Sequence, residues 1–307
     1  KMFGYLVSVP LAVDKNGVFL PKLFRKTIQK LLSEGCDGIY IFGTSGEGYA
    51  VSNDEFTHIV SIFSDATLHF NGLKQVGCFG LSSEQVIHRC RIVAEHGLKS
   101  VQITLPFWKQ LNDKELIKYF TEVCSRFPEL SFLLYNNPNN KRKLTGIELE
   151  SIHKKNPNLI GAKTGSGTWL DFYELITESP SISHFVTEAA FLFSKGIGAK
   201  GLIPSSNYVF PQKSKAFYNA VMTNDLETAQ YLHKDIIRFF YTTALPLGKQ
   251  GYIDGAIDKA YAKIGGLDMP LFMKSPYVPL SNKHFEWLES IIISEFKQED
   301  NFTNYNF

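Results

Sequence analysis

The sequence predicts a (β/α)8 barrel, a TIM barrel of the α/β class, followed by a C-terminal helical extension. Three observations predict it: eight short apolar runs rich in β-branched and aromatic residues, helical patterns alternating with them, and a change to helices alone after Pro204. Apolar strands that alternate with helices are parallel strands covered by their own crossovers. A doubly wound open sheet shows similar alternation, but eight strands in about 200 residues fit a closed barrel.

Each element has a local justification. The first run, Tyr5–Val9, leads to a helical pattern at Pro21–Ser33, and Gly35 follows where a left-handed residue closes a helix. The second, Gly38–Phe42, leads to Asn53–Asp65; Ser52, with Glu55 three residues on, has capping-box spacing and sets that helix start. Lys74–Cys78 precedes Ser83–His96, again closed by a glycine, Gly97. Ser100–Leu105 precedes Asp113–Ser125, and Ser131–Tyr135 is cut off by Asn137-Pro138 ahead of Thr145–Lys154. Leu159–Lys163 with Trp169–Thr177, then His184–Thr187 with Ala189–Lys195, complete seven units, and Gly198–Pro204 is the eighth strand. Helical patterns follow at Phe210–Met222, Leu226–Ala244, Gly251–Ile264 and Asn282–Glu295. The polar break Thr223-Asn224-Asp225 divides a barrel at 1–224 from an extension at 225–296, and the Asn-rich stretch 297–307 reads as a frayed tail.

Composition removes whole classes of function. With 307 residues and 44% hydrophobic content the chain can bury a large core without staples. Its 32 Lys and Arg against 30 Asp and Glu leave a formal charge of +2, so no electrostatic footprint for nucleic acid or a membrane surface is expected. No apolar run approaches the roughly 20 residues that span a bilayer, and Lys1-Met2-Phe3-Gly4 lacks the layout of a signal peptide. The expected compartment is cytoplasmic. Cys36, Cys78, Cys90 and Cys124 never form C-x-x-C and read as reduced thiols. The histidines never recur at i, i+4, and His88 and Cys90, two apart on one helix, face different ways, so no metal site is expected.

The chemistry of such a barrel sits at the C-terminal ends of its strands. Strand two ends in Gly43-Thr44-Ser45-Gly46-Glu47-Gly48, whose hydroxyls and backbone N–H groups suit a carboxylate or phosphate, although the glycines also fit a purely conformational role. Strand six ends in Lys163, and an amine drawn out of water favours its neutral, carbonyl-attacking form. Strand five ends in Tyr135, a phenol placed for proton transfer.

Together these residues resemble the dihydrodipicolinate synthase/N-acetylneuraminate lyase family. Gly43-Thr44-Ser45-Gly46-Glu47 is similar to its G-[ST]-[ST]-G-E loop, Tyr135-Asn136-Asn137-Pro138 to its Y-N-x-P, and Gly161-Ala162-Lys163 to its G-x-K, in order and spacing. The resemblance implies a pyruvate-dependent class I aldolase on a (β/α)8 barrel, a homotetramer or homodimer, with no cofactor beyond a covalent imine through Lys163. It implies that Lys163 attacks a 2-keto acid such as pyruvate, that Thr44 and Ser45 hold the carboxylate, that Tyr135 shuttles the proton, and that the Ile203 carbonyl lines the pocket.

Substrate residues depart from both branches. Trp108 stands where the synthase branch has a relay tyrosine, and Asn140 where it has an arginine for the aldehyde's carboxylate, with Lys141-Arg142-Lys143 alongside. Ala189 and Ala190 stand where the sialate-cleaving branch has sugar-binding acids, and Gly165 where it has a threonine. Phe107 and Trp108 point to a bulkier, less polar acceptor or a narrowed pocket. The expectation is therefore a Schiff-base lyase of unidentified aldehyde partner. Dihydrodipicolinate synthase itself is the alternative, and a catalytically weakened keto-acid-binding homologue is the alternative of another class.

Overall fold

The computed structural model describes residues 2–296, so the tail expected at 297–307 lies outside the described residues. Eight parallel strands close into a barrel in sequence order, β8 returning to β1 through Gly4 opposite Gly201 and Tyr5 opposite Leu202. The strands are β1 Gly4–Ser8, β2 Gly38–Ile41, β3 Leu73–Cys78, β4 Ser100–Ile103, β5 Ser131–Tyr135, β6 Leu159–Thr164, β7 Ser183–Val186 and β8 Gly201–Leu202. Around them run α1 Pro21–Ser33, α2 Asn53–Ala66, α3 Ser83–Glu95, α4 Asp113–Ser125, α5 Gly146–Lys155, α6 Trp169–Thr177, α7 Glu188–Ser194 and α8 Pro211–Thr223. Beyond Asn224, which takes the left-handed conformation at φ 61°, lie α9 Leu226–Thr242, α10 Ala244–Lys249, α11 Asp254–Ile264 and α12 Asn282–Ile291.

Four helices start with reciprocal capping boxes: Ser52 with Glu55, Asn112 with Glu115, Thr145 with Glu148, and Thr168 with Asp171. Alternation along each strand splits the apolar residues into two cores. Outward residues such as Val7, Ile39, Val76 and Val101 pack on the helices, and Met2, Leu6, Tyr40, Leu133, Phe185 and Ile203 meet inside the barrel.

Three sequence expectations are corrected. The eighth strand shrinks from Gly198–Pro204 to two residues, because Gly198 at φ 119° closes a 3-10 turn and Pro204 has no N–H to continue a ladder. The helix expected over Leu226–Ala244 breaks at Thr243, whose hydroxyl bonds the Phe239 carbonyl at 2.6 Å and the Tyr261 hydroxyl, and a new helix runs on to Lys249. The helix expected from Gly251 starts at Asp254, since Gly251 is left-handed at φ 88°.

The loop after β2 is the most constrained segment of the barrel mouth. Phe42 and Glu47 both hold positive φ, at 62° and 50°. The chain folds back so closely that a Cβ on Gly46 would lie 2.5 Å from the Phe42 nitrogen, and one on Gly77 would lie 2.1 Å from the Phe42 oxygen. Arg89 of α3 pins the far end, donating to the Gly48 carbonyl at 2.8 Å and the Val51 carbonyl at 2.9 Å. Glu47 points inward and forms an ion pair with Lys259 of α11, with both side chains fully enclosed. Glu47 also accepts the Lys274 backbone N–H at 2.6 Å, and Lys259 donates to the Phe272 carbonyl.

Removing one member of an enclosed pair strands the other charge, which costs about 3–5 kcal/mol. Lys259→Met is therefore expected to lower Tm by about 10 °C, with Glu47→Met/Lys259→Met losing less than Lys259→Met alone. Thermal melts of the three proteins check this, and a single variant melting like wild type would refute it. His184 sets an acid limit as well. Burial holds its imidazole down to about 4 against the pull of the Ser179 carbonyl. Between about pH 6.5 and about pH 4 the unfolded chain binds a proton that the folded chain refuses, so stability falls as pH drops through that window. His184→Gln should flatten that part of the Tm profile.

Candidate active site

The register of β5 against β6 sets Tyr135 beside Lys163 at the top of the barrel. Lys163 is only 6% exposed. Its Nζ donates to the Tyr40 hydroxyl at 3.1 Å and lies 4.2 Å from the centre of the Tyr135 ring. The amine is thus held between two phenols, over ring faces that attract a cation. Burial pushes the Tyr40 phenol well above its ordinary range, which keeps it neutral beside the amine.

The loop after β2 closes over this pair. The Thr44 hydroxyl lies 3.4 Å from that of Tyr135, linking strands two and five. Ser45 turns the other way: its hydroxyl donates to the carboxylate of Asp258 on α11. Gly255 on the same helix lies close enough that a Cβ there would stand 2.9 Å from the Thr44 carbonyl. Burial pushes Asp258 up to about 7; the Ser45 hydrogen bond and Lys163 oppose the shift, and Asp254 and Glu188 reinforce it. Glu188 is itself buried at the start of α7, accepting the Ser205 and Ser206 N–H groups at 2.8 Å each; burial raises its carboxyl despite them.

The Tyr135-Asn136-Asn137-Pro138 turn is braced by its own amides. The Asn136 N–H donates to the Lys163 carbonyl at 2.8 Å, and its side chain exchanges two hydrogen bonds with the Leu144 backbone, at 2.8 and 2.9 Å. Asn137 accepts from the Asn139 N–H at 2.8 Å, and the buried Asn140 donates to the Tyr135 carbonyl at 2.7 Å. Asn140 therefore holds the main chain of the phenol.

Of the residues singled out in sequence, Lys163, Tyr135 and Thr44 come together directly, with Ser45 adjoining them through its loop. Ile203 packs inside the barrel with Tyr40, its N–H on the Val186 carbonyl at 2.9 Å. Trp108 stands apart: its side chain is 82% exposed, and its carbonyl accepts from Lys141 at 3.1 Å. The basic triplet braces loops, with Arg142 paired to Glu148 and Asp113 and Lys143 donating to the Ser166 carbonyl at 2.8 Å. Sequence reading missed Tyr40, Asp258 and Glu188. Asp258 carried a signal, as an acid on a helix whose neighbours from Gly255 to Ala262 are nearly all apolar.

All four cysteines are free thiols, and no group of three or more His, Cys, Asp and Glu among the described residues could hold a metal ion. No helix among those residues is long and apolar enough to cross a membrane.

The family model described as the dihydrodipicolinate synthetase family matches residues 1–295. The 4-hydroxy-tetrahydrodipicolinate synthase of Ligilactobacillus salivarius is 23% identical over 278 residues, covering 87% of this chain and 91% of that protein. A protein named as a probable 5-dehydro-4-deoxyglucarate dehydratase from Acinetobacter baumannii is 26% identical over 297 residues, 94% of each chain. YagE, a prophage protein of the dihydrodipicolinic acid synthase family from E. coli K12, was solved in complex with pyruvate. It superposes with a TM-score of 0.86 at 18% identity, covering 95% of this chain and 98% of its own. With eight strands closed in one barrel and the family match running almost end to end, the chain belongs to the dihydrodipicolinate synthetase family, whose members are lyases of the aldolase type.

Proposed function

We propose that the protein is a Schiff-base lyase acting on a 2-keto acid, with Lys163 as the nucleophile. One observation carries the reading: a buried lysine amine sits 4.2 Å from the Tyr135 ring, and the Tyr135 hydroxyl meets Thr44 at the barrel mouth. The amine adds to the C2 carbonyl and water leaves, giving an imine whose positive nitrogen draws electrons from C3. In cleavage, Tyr135, whose own proton has left with the water of imine formation, takes the proton of the C4 hydroxyl as the C3–C4 bond breaks, the aldehyde departs, and the bonding pair remains as an enamine. A proton returned to C3 and a water at the imine release pyruvate and the free amine. Thr44 and Ser45 serve the substrate carboxylate, and no cofactor takes part beyond the covalent imine.

The dehydratase relative favours a second outcome on the same intermediate. The substrate in its name has a ketone beside a carboxylate and a hydroxyl two carbons further on, so its imine can lose a proton from the carbon between them, and the enamine of the intact substrate can expel that hydroxyl as water in place of an aldehyde. The alternative of dihydrodipicolinate synthesis lacks a side chain suited to the aldehyde's carboxylate, because Asn140 and Arg142 are committed to the loop. We take the protein as cytoplasmic, in keeping with its free thiols. We take it as a homotetramer or homodimer, because Trp169, Leu170, Tyr173 and Phe193 form an exposed apolar cluster of the kind that self-association covers.

Borohydride with pyruvate is expected to leave a reduced adduct on Lys163, visible by intact mass and absent in Lys163→Ala. An adduct on another lysine, or none, overturns the reading. A panel of 2-keto-3-deoxy acids, including 5-dehydro-4-deoxyglucarate, coupled to lactate dehydrogenase for pyruvate release, distinguishes cleavage from dehydration. On any substrate turned over, Tyr135→Phe should slow the reaction by about 10²–10⁴, and EDTA should leave the rate unchanged. N-acetylneuraminate cleavage and condensation of pyruvate with aspartate semialdehyde are each expected to stay below about 10⁴ M⁻¹s⁻¹ in kcat/KM.

A further inference from the structure

We infer that Asp258, supplied by the C-terminal extension, is a positioning residue that admits the substrate carboxylate only when its own carboxyl carries a proton. This rests on the keto-acid reading above. A serine hydroxyl has one proton to give. While Asp258 is ionised it only accepts, so the Ser45 proton is committed to it. Ser45 then turns lone pairs toward the mouth, and an incoming carboxylate meets a second negative charge behind them. With a proton on Asp258 the bond reverses: the carboxyl donates to Ser45 Oγ, and the Ser45 proton is free for the substrate.

The surroundings make this proton available at ordinary pH. Asp258 is almost wholly buried. Facing it are Asp254 on its own helix, Glu188 from α7, Lys163 from β6, and the phenols of Tyr40, Tyr208 and Tyr261. Burial and the two acids push its carboxyl up to about 7, and Lys163 and Ser45 pull against them. Asp258 cannot swing away to solvent, because the next residue, Lys259, is locked to Glu47 under the same loop. Keto-acid binding is therefore coupled to uptake of one proton above about pH 7, and pyruvate affinity falls about tenfold for each further pH unit.

The test traps the full-length protein with cyanoborohydride and compares pyruvate with methyl pyruvate, which keeps the ketone and loses the charge. The ratio of their half-saturating concentrations cancels whatever the imine chemistry itself contributes to the pH dependence. In wild type that ratio should rise on the order of 10-fold or more between about pH 6 and about pH 8.5. In Asp258→Asn, which imitates the protonated acid, and in Ser45→Ala, which has no hydroxyl to commit, it should change by less than about 3-fold, with circular dichroism confirming that each variant is folded. A flat ratio in wild type, or the same rise in Asp258→Asn, overturns the inference while leaving the Schiff base intact. Absence of an adduct with either ketone at every pH overturns the Schiff-base reading and this inference with it.

Discussion

Glu47 and Lys259 face each other with no access to water, and the arrangement of the barrel mouth depends on that contact. Neither charge could stand alone at such depth. Each is also used by a neighbouring backbone: Glu47 receives the Lys274 N–H, and Lys259 reaches the Phe272 carbonyl. The pair therefore fixes three segments at once, namely the loop after β2, helix α11 and the run from Phe272 to Lys274 behind it. Glu47 holds a left-handed backbone, at φ 50°, that an unanchored loop would relax. Thr44 and Ser45 owe their positions to this anchor, since they lie three and two residues before it on the same turn.

The environment of Lys163 is made without a carboxylate partner at hydrogen-bonding distance among its described contacts. Tyr40 and Tyr135 supply ring faces and one hydroxyl, and the nearest acids act across a longer range. A neutral phenol can accept from an ammonium and donate to an amine, so Tyr40 suits both protonation states of Lys163 without changing its own. A carboxylate in that place would bind the ammonium more firmly and oppose formation of the neutral amine. The acids that are present, Asp258 and Glu188, lie beyond hydrogen-bonding reach of the amine, and burial disfavours the charged form of each, against the Ser205 and Ser206 N–H groups at Glu188 and the Ser45 hydroxyl at Asp258.

Most of the fold was legible because local chemistry and global topology agree. The capping residue Ser52, closing glycines at Gly35 and Gly97, and apolar strands all point to one alternation. The misplaced ends, at β8 and at Thr243, come from a left-handed glycine and from a hydroxyl drawn to Tyr261 across the extension, a contact no local window contains. In the site, Lys163, Tyr135 and Thr44 were legible because each ends a strand or opens its loop. Tyr40 was not, because inside a strand it reads as one more aromatic core residue. Asp258 was not, because its partner Ser45 lies on the opposite side of the sequence. Trp108 follows a barrel strand in the sequence, and in the structure its side chain is exposed.

The spacing of these contacts along the chain gives the site an order of assembly. Thr44 and Tyr135 are 91 residues apart, and Tyr40 and Lys163 are 123 apart. Ser45 and Asp258 are separated by 213, and Glu47 and Lys274 by 227. During synthesis from the N-terminus the amine and its phenols can therefore meet once six strands exist, whereas the contacts of Ser45 and Glu47 wait for the last helices to emerge. The lysine–phenol half of the site is encoded early, and the Ser45–Asp258 half is completed late. A ribosome stalled after the barrel would leave Lys163 and its phenols without the Ser45–Asp258 contact above them, and the extension acts in effect as the chain's own certificate of completion.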